Sequence, residues 1–90
     1  LGLPIQIPGA DAQEIAKQFL KLNRRLFNLK ENLSDLEIHK VEKHKRATHV
    51  VFQQKYRNLP VEGAVYAVHL TKDGKVYLAN GEYYPNISLH

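Results

Sequence analysis

Ninety residues fit one domain, near the size at which a single core is only just sufficient, so a second independent domain is excluded. Apolar content of 43% and charged content of 24% are those of a chain that folds, and the absence of cysteine removes disulfides, thiolate nucleophiles and thiolate metal sites without fixing the compartment. A net charge of +4 raises the question of a phosphate-rich partner, which clustering of Lys and Arg must decide, and no apolar run approaches the roughly 20 residues of a membrane helix. The chain has no methionine, not even at position 1, and is expected to be a piece of a longer, processed protein.

Residues 1 to 10, LGLPIQIPGA, hold two prolines and two glycines and predict an extended arm. Residues 11 to 90 form the single domain. Asp11 opens a helix, its carboxylate accepting from first-turn amides, with Glu14 three residues on to complete a capping box. At about 100° per residue, Ala12, Ile15, Ala16, Phe19, Leu20, Leu22, Leu26 and Phe27 gather on one arc and predict the core-facing side. Glu14, Lys17, Lys21, Arg24 and Arg25 lie opposite, as a solvated ridge whose long side chains cover apolar edges.

The polar stretch NLKENLSD, residues 28 to 35, ends the helix. Four strand-like stretches follow at 36 to 46, 47 to 57, 60 to 72 and 75 to 80. Asp73-Gly74 predicts a type I′ hairpin turn, and Asn58-Leu59-Pro60 another reversal. The expected fold is α+β, one N-terminal amphipathic helix packed on an antiparallel meander of three to four strands. In the second stretch Thr48, Val50, Phe52, Gln54 and Tyr56 share one face, and His49, Val51, Gln53, Lys55 and Arg57 the other. Gln54 is the anomaly: a buried amide left unsatisfied costs about 1–3 kcal/mol, so it must find internal partners. Gln53, beside Lys55 on the outward face, asks for no such explanation.

Catalytic constellations are missing. HKVEKH, residues 39 to 44, spaces its histidines five apart in a strand, which sends His39 and His44 to opposite faces, whereas a helical H-E-x-x-H brings its pair together. His49 and His69 could meet across neighbouring strands, as a two-histidine pair weak in carboxylates. Ser34 and Ser88 have no glycine elbow, and Glu62, Asp73 and Glu82 are scattered. Tyr66, Tyr77, Tyr83 and Tyr84 lack the consensus and charge block of a nucleic-acid reader, so no nucleic-acid partner is expected.

His49 to Gly63, H-V-V-F-Q-Q-K-Y-R-N-L-P-V-E-G, with Val68-His69-Leu70, Asp73-Gly74-Lys75-Val76 and Asn80-Gly81, resembles the FTP domain, the fungalysin/thermolysin propeptide module. The family pattern is approximately a histidine, then F/R-x-Q-x-Y-x-G-x-P-V-x-G, a strand ending V-H, a D-G-x-V hairpin and a closing glycine. The resemblance spans residues 11 to 87, with Leu26 to Leu29 matching the usual helix exit. Asn58 stands where the family has glycine, and asparagine tolerates left-handed backbone next best.

The resemblance implies a non-enzymatic prodomain that helps a secreted thermolysin/fungalysin-type zinc metallopeptidase fold and holds it inactive, working in cis on the catalytic domain. It implies an extracellular, monomeric module that neither inserts in a membrane nor holds a cofactor, with zinc, and calcium as a second candidate, confined to the catalytic domain. Gln53, Gln54, Lys55, Tyr56, Arg57, Pro60, Val61 and Gly63 become the candidates for binding or bracing that partner, and no residue is expected to be catalytic or metal-ligating. The alternative is a stand-alone cell-surface or extracellular binding module of the same fold.

Overall fold

A computed structural model describes residues 3–29 and 33–85. Part of the linker at 30 to 32, the end of the family-like span at 86 and 87, and Ser88 lie outside the described residues. The elements in chain order are β1 (Ile5–Gln6), α1 (Ala12–Leu22), β2 (Leu36–Lys43), β3 (Ala47–Tyr56), β4 (Leu59–Thr71) and β5 (Lys75–Gly81). β2 to β5 follow one another as an antiparallel meander, and β1 joins β5, giving the order β1-β5-β4-β3-β2. The sheet thus has five strands, not three to four. The fifth comes from the arm, where Ile5 pairs with Val76 and Gln6 with Lys75. Two residues flanked by prolines are too few to show a period of two, so alternation could not reveal this strand.

The helix starts as its cap predicts: Glu14 N donates to Asp11 Oδ1 at 2.9 Å. The Glu14 carboxylate instead accepts from Gln18 Nε2 at 3.1 Å, so only half of the capping box forms. α1 stops at Leu22 because Asn23 turns on it: both its backbone N–H and its Nδ2 donate to Phe19 O, while an Arg24 guanidinium N–H donates to Lys21 O at 2.9 Å. Two expectations change with that stop. Leu22 and Leu26 are 65% and 63% exposed instead of core-facing, and Arg24 is a half-buried capping group. Phe27 keeps its inward role, its ring tilted 5.9 Å from Phe19 and 5.8 Å from Tyr66.

Ala16, Phe19 and Leu20 of α1 pack on the inner sheet face, against Val50 and Phe52 of β3, Tyr66, Val68 and Leu70 of β4, and Val76 of β5, with Ile7 and Leu33 closing the ends. Burial of a side chain such as Phe19, Leu20, Phe52 or Leu70 contributes about 1.5–3 kcal/mol, so these contacts hold the two layers together. Burial raises the Tyr66 phenol above its ordinary pKa. The register puts alternate residues in rows across the other face: Glu42, His49, His69 and Leu78 in one, Lys40, Val51, Ala67 and Asn80 in the next, then Glu37, Gln53 and Val65. Among the described residues no second layer covers this face.

The type I′ geometry expected at Asp73-Gly74 appears instead at the β3–β4 hairpin. Arg57 (φ 52°) and Asn58 (φ 65°) both lie in the left-handed region between the paired Tyr56 and Leu59, as a type I′ turn demands. At the β4–β5 connection only Gly74 has positive φ, and Gly74 N donates to Thr71 O at 3.0 Å. That is a three-residue connection ending in a left-handed glycine, not the two-residue Asp73-Gly74 turn that was expected. The Thr71 hydroxyl bonds the Asp73 carboxylate and also accepts from Lys75 N, which fixes the loop and holds the Asp73 carboxyl below its ordinary pKa.

Candidate functional site

The candidate residues cluster where the β3–β4 ladder breaks. Gln53 pairs with Val65 but Lys55 pairs with Pro60, so residues 61 to 64 of β4 bulge opposite Gln54 alone. A bulge strips backbone carbonyls of strand partners, and these must be satisfied. Gln53 Nε2 does so, donating to Gln54 O and Val61 O at 2.9 Å and to Ala64 O at 3.2 Å. Two amide hydrogens face three acceptors, so one is shared. Gln53 is therefore half-buried and turned onto its own loop, contrary to the reading of an outward side chain that needs no explanation.

Gln54 is fully buried. Its Oε1 accepts from Tyr84 N at 2.9 Å, and its Nε2 donates to Tyr84 O at 2.8 Å and to Asp35 Oδ2 at 3.3 Å. Asp35 Oδ2 also accepts from the Tyr83 hydroxyl at 2.6 Å, and Asp35 O from Lys55 N at 2.7 Å. One amide thus joins the chain before β2, the strand end of β3 and the segment after β5.

The neighbours divide by exposure. Lys55 Nζ meets Glu37 Oε2 at 2.9 Å across the β2–β3 pair, and Tyr56 and Val61 are half-buried. Arg57, Asn58, Leu59 and Pro60 protrude, with the Arg57 guanidinium carbon 5.3 Å from the centre of the Tyr56 ring. Gly63 (φ 76°) has open space where a Cβ would sit, so its backbone conformation alone calls for glycine. Gly81 (φ 140°) is different: a Cβ there would run into Val65 O and sit 2.7 Å from Tyr66 Cα.

Among the described residues the geometry brings together no nucleophile, base and acid. Ser34 lies exposed in the turn before β2, His39 is the extra residue of a bulge between Ile38 and Lys40, and no group of three or more histidine or acidic side chains is placed to hold a metal among the described residues. What the site can do chemically is hold shape with internal hydrogen bonds while presenting a cation and apolar side chains at the Arg57-to-Pro60 tip.

The model of the family described as Fungalysin/Thermolysin Propeptide Motif (FTP) matches residues 34–83. The chain belongs to the FTP family. The match covers more than half of the 90 residues and is narrower than the resemblance read from 11 to 87, leaving the arm and helix outside it. Its limits coincide with the hub: Asp35 enters at one end and Tyr83, bonded to it, closes the other. FTP is a propeptide motif of thermolysin/fungalysin-type peptidases, which are secreted as precursors, and the motif itself is non-catalytic. No solved structure matches the chain.

Asp35, Tyr83 and Tyr84 escaped the sequence reading. Their partners lie 19, 48 and 30 residues away, so no local spacing reports them. The one available signal was Gln54 itself, whose polarity on a core face required acceptors and a donor from distant segments.

Proposed function

We propose that this FTP module is the intramolecular chaperone and inhibitor of a secreted zinc metallopeptidase, acting in cis as a monomer on the catalytic domain of its own precursor. The family match over residues 34–83 carries the reading. The fold supports it physically: a sheet covered on one face leaves Val65 and Leu78 at 37% and 43% exposure, Leu59 at the tip is 61% exposed, and a partner that covers such side chains gains apolar burial. Zinc, and calcium as a second candidate, belong to that catalytic domain in this reading.

Within the candidate set, Arg57, Pro60 and Lys55 are the contact residues, while Gln53, Gln54, Tyr56, Val61 and Gly63 hold the tip in shape. Inhibition of the mature cognate peptidase by the added module tests this. The wild-type module is expected to inhibit, and Arg57→Ala to weaken inhibition by roughly tenfold, the scale of a moderate interface residue. Unchanged inhibition by a folded Arg57→Ala, Pro60→Ala double variant removes the tip from the interface. Absence of inhibition by the wild type overturns the inhibitor reading in favour of a stand-alone binding module, for which the coding sequence beyond His90 would lack an H-E-x-x-H.

A further inference from the structure

The open sheet face carries a feature that the propeptide reading does not use. His49 and His69 stand directly opposite each other on β3 and β4, with their Nδ1 atoms 2.6 Å apart. His69 Nε2 lies 2.9 Å from Asn80 Oδ1 on β5. A carbonyl oxygen can only accept, so His69 carries its hydrogen on Nε2 and turns the Nδ1 lone pair toward His49. In the neutral pair His49 supplies the one hydrogen between the rings.

Two nitrogens bound to one metal at about 2.0–2.1 Å are about 3 Å apart when they subtend near 90°. The two Nδ1 atoms are a few tenths of an ångström short of that separation. If His49 adopts the tautomer with its hydrogen on Nε2, both Nδ1 lone pairs face the gap between the rings, with no net loss of a proton from the neutral pair, and a small turn of the rings lets one ion take the place of the shared hydrogen. Asn80 holds one ring in the orientation and tautomer a ligand needs, the role that a neighbouring hydrogen-bond acceptor plays for metal-bound histidines.

We infer that His49 and His69 form a two-imidazole chelate for a nitrogen-preferring divalent transition metal, with Asn80 as its orienting acceptor. Water completes the coordination, since the described residues gather no third histidine or acidic ligand. The surroundings define the class of ion. Glu42 follows His49 in the same row but is engaged by Lys40 Nζ at 2.7 Å, and His44 lies with its ring 5.3 Å from that of His49. The exposed Lys43 at the end of β2, and Lys45 and Arg46 of the turn after it, oppose a cation held by charge alone. Calcium and magnesium, which need several oxygen ligands, are excluded, and Cu²⁺ and Ni²⁺ rank above ions that bind imidazole more weakly.

Thermal unfolding of the full chain at pH 7.5, followed by circular dichroism against increasing Ni²⁺, tests the inference. Only the folded chain places both rings together, so the midpoint is expected to rise with Ni²⁺ in the wild type and in His39→Gln, the control for scattered surface histidines. His49→Gln and His69→Gln are expected to abolish the rise, and Asn80→Ala to raise the Ni²⁺ concentration needed about tenfold. Paramagnetic resonance of the Cu²⁺-loaded chain gives a readout that survives a variant that folds poorly: two equivalent nitrogens are expected in the wild type. A midpoint insensitive to Ni²⁺, a rise that persists in both pair variants, or a Cu²⁺ spectrum with a single nitrogen overturns the chelate and leaves a plain cross-strand hydrogen bond.

Discussion

Gln54 grips the backbone of Tyr84 in both directions, accepting from its N–H at 2.9 Å and donating to its carbonyl at 2.8 Å. A side-chain amide here stands in for a strand neighbour. Gln54→Ala removes both bonds and the one to Asp35, and leaves a gap at a fully buried position. The expected loss is about 2–4 kcal/mol, combining unsatisfied groups with a cavity. Urea denaturation checks it. A loss under about 0.5 kcal/mol, the range of an ordinary surface substitution, would show the clamp to be dispensable.

Two glycines with positive φ are expected to respond unequally to alanine. At Gly63 the added methyl meets nothing within 4 Å, so only the backbone penalty of about 1 kcal/mol applies. At Gly81 the obstacles are backbone atoms of Val65 and Tyr66, inside a paired strand that cannot swing aside. Gly81→Ala is expected to cost at least about 2 kcal/mol and to speed amide exchange along β5. Equal costs at the two positions would contradict the close approach.

Arg57 holds a left-handed conformation that suits asparagine better than a long side chain. Arg57→Asn is therefore expected to stabilise the module by about 0.5–1 kcal/mol in urea while weakening inhibition of the peptidase in trans. The two measurements moving in opposite directions would mark a residue retained for its contact at the expense of local strain. A destabilised Arg57→Asn variant would place the worth of Arg57 in its contact with the Tyr56 ring instead.

Stability should fall on mild acidification. The His49 pKa lies below its ordinary value of 6.5 in the folded chain, so the unfolded chain binds more protons as the pH drops. The contribution is complete above pH 6.5 and is lost as the pH falls through that value toward the folded pKa. Urea midpoints compared at pH 7.5 and 5.5 should show the loss, and His49→Gln should flatten it. Glu42 and Asp73, whose pKa values are also lowered, act only further into acid, below their ordinary values of 4.5 and 3.8.

The meander was readable from its alternation: Val50, Phe52 and Gln54 turn inward as the period of two requires, and the strand limits fall close to those predicted. The Asp11 cap was equally local, one carboxylate and one amide three residues apart. The helix stop was missed because Leu22, Leu26 and Phe27 continue an apolar period, while the bonds that halt it come from Asn23 and Arg24, polar residues that the period ignores. Gln53 was misread because alternation assigns a face and assumes an unbroken ladder. Once β4 bulges by several residues, an outward position reaches back over its own loop.

The Gln54–Tyr84 clamp also bears on turnover. Hydrolysis of the backbone downstream of Pro85 leaves the clamp whole, and the liberated piece keeps its shape and its capacity to linger. Hydrolysis between Gly81 and Tyr83 cuts the chain that holds Tyr84 against the buried Gln54 amide and the Tyr83 hydroxyl against Asp35, so neither contact is tethered to β5 any longer. Under the proposed propeptide role, such a nick would turn a durable fragment into one that opens and is digested, so the place of the cut would set how long the freed module lasts.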